Sequence, residues 1–264
     1  MSEIIIREMN AYDEHFIGTC PRVGGINEII SHSPKRISWL KDSYDNGLRV
    51  KVALLDNHQA GFIYLMPIEI CPWGPIGKDL LAFPCMFVKS DAEKKGVGQA
   101  LIADAEEEAR IQKKKGIVTI GHYDEKWLMP ASFFLKNGFE AGERVGEEAV
   151  MWKAFDKDVK APKLLRSRYK FQPVVDKVVV DLFWHSFCGT SAIEAQRVRE
   201  VVMEFGNDVI LNDYCVDDRD ILLKYRVHRG IFINGVQKLW DYGAHKEGIR
   251  KAITKAMENQ TVGQ

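Results

Sequence analysis

The sequence lacks the features that would direct a chain to a membrane or a polyanion. Lysine plus arginine and aspartate plus glutamate both number 37, so the formal net charge is zero. A chain without net charge has no global attraction to nucleic acid or anionic lipid. No apolar run approaches the ~20 residues that cross a bilayer. The start, MSEIIIREMN, also lacks the basic region and apolar core of a signal peptide. We therefore expect a cytoplasmic protein with neither nucleic acid nor a membrane as partner.

Cysteine is scarce and shows no paired spacing. The five cysteines are Cys20, Cys71, Cys85, Cys188 and Cys215. An odd, scattered set forms neither a disulfide ladder nor the CxxC pairs of a structural zinc site. We expect reduced thiols and no bound metal.

The composition indicates a globular chain with room for two domains. Of the 264 residues, 46% are hydrophobic and 28% charged, as in ordinary folded domains. Residues 156–170 carry six basic side chains and Pro162, which predicts a connector, although such a segment could also serve as a nucleic-acid arm. We expect domains at 1–155 and 177–264, joined by a linker at 156–176.

Strand and helix patterns alternate through the first part, which predicts an α+β fold with a mixed sheet flanked by helices. A hairpin is expected around Asn57–Gln59, and the strand at 80–88 contains Pro84, which favours an edge position or a bulge. The helix at 98–115 has one apolar stripe. The second part reads β-α-β-α-β-β-α, with a turn at Asn234-Gly235.

Residues 88–98, VKSDAEKKGVG, join a strand to the long helix. Backbone amides at a helix N-terminus, with the positive end of the helix dipole, bind phosphate groups. Gly96 and Gly98 permit a tight turn and close approach, and Lys94 and Lys95 add positive charge. The pattern predicts a pyrophosphate site, but a simple tight turn would also explain it.

Two motifs together resemble the GNAT N-acetyltransferase superfamily. Val88 and residues 96–98 fit the pattern Val-x-Pro-x-x-Arg/Gln-Gly-x-Gly-x-Gly/Ala that ends the family's fourth strand. ASFFLKNGFE, at residues 131–140, is similar to the late motif Ala-x-x-Phe-Tyr-x-Lys-x-Gly-Phe. The order of elements also resembles this family over about residues 1–155.

That resemblance implies acetyl-coenzyme A as co-substrate and an amine, on a small molecule or a peptide, as acceptor. Met86 and Val88 are expected to offer backbone groups to the pantetheine arm, where the fourth and fifth strands splay apart, and Phe134 is expected near the thioester. The residues expected around the pyrophosphate are Lys95, Gly96, Val97, Gly98 and Gln99.

The sequence departs from the family pattern at four positions. Ser90 replaces proline and Glu93 replaces arginine or glutamine, which puts an acid near the phosphates. Leu128 occupies a usual asparagine position. Phe134 occupies the position of the tyrosine that commonly protonates the leaving thiolate, and a phenyl ring cannot donate a proton. Binding of the cofactor is therefore better supported than turnover.

A general base must take a proton from the amine, and a histidine suits that role near neutral pH. The candidates are His122, Tyr123 and Glu125, at the end of a strand. The alternative is that these are ordinary strand-end residues. Non-catalytic acetyl-coenzyme A sensing is the rival function for the chain.

Cys188 stands in Cys-Gly-Thr-Ser at a predicted helix start, where helix amides stabilise a thiolate. With the β-α-β-α-β-β-α order, the segment 177–259 resembles the thioredoxin-like fold, and CGTS is similar to the motif of monothiol glutaredoxins. Arg229 replaces the family's cis-proline, and Ser191 replaces a second cysteine.

The segment is therefore read either as a thiol-redox domain or as an interaction domain for a protein partner. A partnership of Cys188 with Cys215, on a parallel strand, is a further hypothesis. Acceptor identity and oligomeric state cannot be read from the sequence.

Overall fold

The computed structural model describes residues 3–21, 28–124, 128–240 and 244–261. The chain divides into two compact units. The first unit comprises Met1–Gly24 and Ile37–Leu165, and the second comprises Gly25–Arg36 and Arg166–Gln264. The second unit thus includes a segment from early in the chain, which no local composition change marks. The domain limits predicted from sequence stay a prediction.

The first unit is built on a sheet of eight strands within the described residues. These strands are β1 (Ile4–Glu8), β2 (Arg49–Leu55), β3 (His58–Pro67), β4 (Leu81–Ala82), β5 (Met86–Val88), β6 (Gly116–His122), β7 (Glu140–Val145) and β8 (Glu148–Ala154). The helices are α1 (Glu14–Thr19), α2 (Glu28–Asp42), α3 (Val97–Ile111) and α4 (Ala131–Lys136), and α2 is shared between the units.

The sheet is mixed, with spatial order β1-β2-β3-β4-β6-β8-β7, and β5 pairs with β3 alone. Only the short β4–β6 pair is parallel, while the other pairs are antiparallel. A mixed sheet flanked by helices is what the sequence predicted for this part, and that prediction is confirmed.

Helix α3 covers one face of this sheet because its apolar residues recur on a single stripe. Leu101, Ile102, Ala105 and Ala109 of that stripe are all buried, as the sequence predicted. They pack against residues of β3, β4, β6 and β8 and of α4 in one core cluster. We call the sheet face covered by α3 and α4 the near face, and the opposite one the far face.

A charged network fixes α3 against β2. Lys51, whose side chain is only 12% exposed, lies 2.8 Å from a carboxylate oxygen of Glu108 and 2.9 Å from one of Glu8. Burial alone would lower the pKa of Lys51, but the hydrogen bonds that its ammonium group donates to the two carboxylates outweigh burial and raise that pKa. Lys51 therefore stays charged, and the network fixes the helix that begins at the glycine-rich loop.

The second unit has a four-stranded sheet among its described residues. Its strands are β9 (Val178–Trp184), β10 (Val209–Cys215), β11 (Gly230–Ile233) and β12 (Val236–Lys238), and its helices are α5 (Gly189–Met203), α6 (Arg219–Tyr225) and α7 (Lys246–Thr261). The spatial order is β10-β9-β11-β12, with β10 parallel and β11 antiparallel to β9. The element order is the β-α-β-α-β-β-α read from the sequence.

Within the residues that the structure describes, no helix combines the length and apolar character needed to cross a bilayer.

Candidate functional site

Strands β4 and β6 run side by side for two residue pairs and then separate. Leu81 pairs with Ile117 and Ala82 with Val118. The Phe83 amide donates to the Val118 carbonyl at 2.9 Å, and the Thr119 hydroxyl donates to the Phe83 carbonyl at 2.7 Å. Pro84 follows and has no amide hydrogen to continue the ladder. Beyond it, β5 pairs only with β3, so a gap opens between β5 and β6; we call this gap the splay.

The backbone of β5 has polar groups that point into the splay. The Cys85 carbonyl accepts from the Tyr64 amide at 3.2 Å, and the Lys89 amide donates to the Ala60 carbonyl at 2.8 Å. Successive residues of a strand direct their backbone groups to opposite sides. Cys85, Phe87 and Lys89 therefore direct theirs to β3, and Met86 and Val88 direct theirs into the splay. The role of these two residues toward a pantetheine arm, which the family resemblance implies, stays a prediction.

A glycine on β3 lets β5 lie this close. A Cβ atom added at Gly61 would stand 2.5 Å from the Phe87 carbonyl oxygen and 3.3 Å from the Val88 Cα. Both neighbours are backbone atoms, so no side-chain rotation relieves the clash. Gly61 thus fixes the position of the strand that borders the splay. The sequence analysis did not identify it, because its requirement comes from a neighbouring strand.

The loop after β5 turns the chain into α3 through two left-handed residues. Ser90–Ala92 form a short 3₁₀ turn, and Lys94 and Gly96 have φ of 60° and 88°. Gly96 is the N-cap of α3 and supplies no side-chain cap. The first amides of the helix, at residues 97–99, therefore have no capping side chain from Gly96. They lie at the positive end of the helix dipole.

Side chains of this loop differ in what they can contribute. Lys95, Gln99 and Glu93 are exposed, whereas Val97 is buried in the core. Val97 can therefore offer only its amide to a ligand, and Gln99 can offer both amide and side chain. The carboxylate of Glu93 is on the solvent-exposed part of the loop, where water screens its charge.

Aromatic rings fill the near face below the splay. Phe134 is fully buried and packs against Phe83, Phe133 and Phe139, with ring centroids 5.3–5.7 Å apart. The ring of Phe134 is thus enclosed by other rings. Its proximity to a thioester stays a prediction. Phe133, which the sequence analysis passed over, lies against α3: a Cβ at Gly98 would stand 3.0 Å from its ring. Gly98 therefore leaves room for this ring at the helix start.

His122 ends β6 on the far face, paired with Glu148 of β8. Val118 pairs with Ala82, and β6 continues beyond this pair to His122, which lies on the other side of the splay from β5. Partial burial lowers the pKa of His122, while the carboxylates of Glu148 and Asp124 act in the opposite direction. Its imidazole is consequently neutral at pH 7.

The other two candidates for the base differ in placement. The ring of Tyr123 packs against the near-face core, and the guanidinium of Arg144 lies 3.8 Å from its centroid. Tyr123 thus faces away from the far face. Glu125 lies outside the described residues. Among the residues with described positions, no group of three or more His, Cys, Asp or Glu is arranged to hold a metal ion.

In the second unit, Cys188 is the N-cap of α5, as the sequence predicted. Its Sγ lies 3.0 Å from the Thr190 hydroxyl, and its amide donates to His185 Nδ1 at 3.2 Å. Arg229 donates to the same hydroxyl at 3.1 Å and pairs with Glu194 at 2.7 Å. The arginine that replaces the expected proline therefore lies beside the thiol.

The charges around the two thiols of this unit shift their pKa values in opposite directions. Burial opposes ionisation of Cys188, but the positive charges of Arg229 and Arg36 outweigh it and lower the pKa of the thiol. Burial and the negative charge of Asp217 raise the pKa of Cys215 to about 12. None of the five cysteines forms a disulfide. Cys215 is thus poorly suited to attack or resolve a bond at Cys188.

We expect alkylation by iodoacetamide to distinguish these thiols by pH. Because the thiolate is the reactive form, the rate at Cys188 should rise at a lower pH than the rate at Cys215, measured by peptide mass spectrometry. Arg229→Gln removes a positive charge and should move the Cys188 profile to higher pH. Identical profiles for both cysteines, or no change in the variant, would contradict the electrostatic explanation.

Part of the first unit matches a known protein family. Residues 46–141 match the family model described as "Acetyltransferase (GNAT) domain". This range includes the splay, the glycine-rich loop, α3, β6 and α4. The search of curated protein sequences found no match.

The solved structures that are similar to this chain are distant from it in sequence. A putative acetyltransferase of the GNAT family from Desulfovibrio desulfuricans is 16% identical, with a TM-score of 0.47, over 58% of this chain and 100% of its own. PaiA N-acetyltransferase from Thermoplasma acidophilum, in complex with coenzyme A, is 19% identical with a TM-score of 0.43, over 58% and 99%.

A third, YncA from Salmonella typhimurium, described as a putative acetyltransferase with its cofactor acetyl-CoA, is 17% identical with a TM-score of 0.43, over 61% and 98%. The match of residues 46–141 to the GNAT acetyltransferase domain supports an acyl-CoA-dependent N-acyltransferase activity.

Proposed function

We propose that the first unit transfers an acetyl group from acetyl-coenzyme A to an amine. The observation that carries the proposal is the splay, where β5 directs the backbone groups of Met86 and Val88 into a gap. A pantetheine arm has amide groups that can pair with such a strand edge, as an added strand would. The same strand leads directly into the loop and the helix start.

The loop is suited to the pyrophosphate. We assign its contacts to the amides that begin α3 and to the charge of the exposed lysine before them. Gly96 and Gly98 keep Cβ atoms away from the turn, which allows close approach. The proposed ligands are Lys95, Gly96, Val97, Gly98 and Gln99. Coenzyme A is bound in the PaiA structure and acetyl-CoA in the YncA structure.

The proposed reaction is direct attack of a neutral amine on the thioester carbonyl. The Met86 amide, which points into the splay, is placed to donate to the carbonyl oxygen as negative charge develops. His122, across the splay from β5, accepts the proton that the amine loses. The coenzyme A thiolate then leaves and takes a proton from solvent, because Phe134 has none to give.

For the second unit we propose a thioredoxin-like fold spanning the predicted domain at 177–264. The parallel β9–β10 pair, the antiparallel β11 and the Cys188 position at the α5 start support it. We assign this unit to interaction with a protein partner, because Arg229 occupies the position where the oxidoreductase fold has its proline.

The test of the transferase is an amine panel with acetyl-coenzyme A, followed by mass spectrometry of the acetylated products. We expect product with at least one amine, in equal amount to the free coenzyme A released. Binding of acetyl-coenzyme A without any product would favour the non-catalytic sensor. Absence of both would contradict the two functions together.

A further inference from the structure

The far face beside the splay has an aromatic surface. Phe87 lies between Met86 and Val88, whose side chains pack in the near-face core, so its own side chain lies on the far face. Its ring centroid is 5.4 Å from that of Phe62 and 6.4 Å from that of Phe16, on α1. Phe62 is fully buried, whereas Phe16 and Phe87 are partly exposed. Two rings therefore present apolar surface next to the splay.

Among the described residues, the near face offers an acceptor no comparable approach. Phe83 and Phe134 are fully buried there and Phe139 is 4% exposed, all in contact with one another. A molecule that reaches a thioester in the splay must therefore come from the far face. On that side it meets Phe87 on one strand and His122 on the other.

The charges across the splay from these rings are negative. The carboxylates of Glu148 and Asp124 are both close enough to affect the titration of His122. The two carboxylates favour a cationic ammonium group on the acceptor. An acceptor that itself carries a carboxylate would be repelled. The site thus combines an apolar, ring-lined side with an anionic side that holds a neutral imidazole.

We propose that the acceptor is an arylalkylamine, a primary amine on a short chain that ends in an aromatic ring. Its ring packs on Phe16 and Phe87, and its amino group reaches His122 beside Glu148. This proposal rests on the transferase function above and specifies its substrate class. Rings are preferred to alkyl chains of similar size because edge-to-face contacts add to the area buried.

The test compares phenethylamine with hexylamine in acetyl transfer. We expect kcat/KM to be about tenfold or more higher for phenethylamine. Phe87→Ala should reduce that ratio to near unity, mainly by raising KM for phenethylamine. The matched control is Phe155→Ala, which removes a partly buried ring that follows β8 and contacts Arg110; this variant should keep the ratio.

The affinity of each variant for acetyl-coenzyme A shows whether it is still folded. This affinity should stay unchanged, so that a lower ratio reports lost recognition of the amine. Equal kcat/KM values for both amines, or an unaltered ratio in Phe87→Ala, would overturn the proposal. If no amine is acetylated, the transferase function fails instead. Titration of the coenzyme A-loaded protein with each amine then still decides the ring preference: equal affinities would overturn it.

Discussion

Replacing His122 by glutamine should lower kcat by roughly 100- to 10,000-fold, the usual contribution of a general base. Glutamine keeps similar size and polarity but cannot accept the amine proton. The affinity for acetyl-coenzyme A should not change, because the proposed donor contacts come from β5 and the α3 start. Steady-state kinetics with a binding titration on the same preparation would measure both quantities.

The pH profile gives the same prediction a second readout. Burial lowers the pKa of His122, and only the neutral imidazole accepts a proton. Activity of the unmodified protein should therefore be constant with respect to this group at pH 7 and fall as the pH drops through the lowered pKa. His122→Gln should lose that acidic limb. A variant with the original kcat and an unchanged acidic limb would exclude His122 as the base.

Replacing Gly61 by alanine should disrupt the donor site from a strand that has no proposed contact with the cofactor. The added Cβ would lie 2.5 Å from the Phe87 carbonyl oxygen, so β5 must move away from β3. Overpacking of this kind costs about 1–3 kcal/mol of unfolding free energy. Because β5 borders the splay, we also expect acetyl-coenzyme A affinity to fall by about tenfold or more.

Gly142, on β7, is the matched control. A Cβ there would meet its nearest side-chain atoms at 3.5 and 3.7 Å, an ordinary contact distance. Gly142→Ala should therefore leave both thermal unfolding and acetyl-coenzyme A affinity close to those of the original protein. If Gly61→Ala binds acetyl-coenzyme A as tightly as Gly142→Ala does, then the position of β5 does not determine donor binding.

Local patterns predicted much of the first unit. The apolar stripe of α3 is a property of spacing alone, and the structure buries it as expected. Pro84 likewise marked the interruption between β4 and β5, since a residue without an amide hydrogen interrupts a ladder. The separation of β5 from β6 came instead from resemblance to the family, because pairing between distant strands leaves no local signal.

What the sequence analysis missed depends on long-range contacts. Helix α2 begins at Glu28 and contains Pro34, a residue that disfavours the interior of a helix. The Arg36 side chain donates to the Phe187 carbonyl, 151 residues away. The sequence identified Arg229 only as the residue that replaces a proline, although its positive charge lowers the pKa of Cys188. Each effect depends on tertiary packing that spacing does not encode.

Isothermal titration of the unmodified protein with acetyl-coenzyme A tests the central claim most directly, that the splay and the start of α3 form a donor site. The account predicts saturable binding with one acetyl-coenzyme A per chain, weakened by added salt because exposed Lys95 and the helix amides hold the pyrophosphate. Absence of binding at millimolar acetyl-coenzyme A would contradict it.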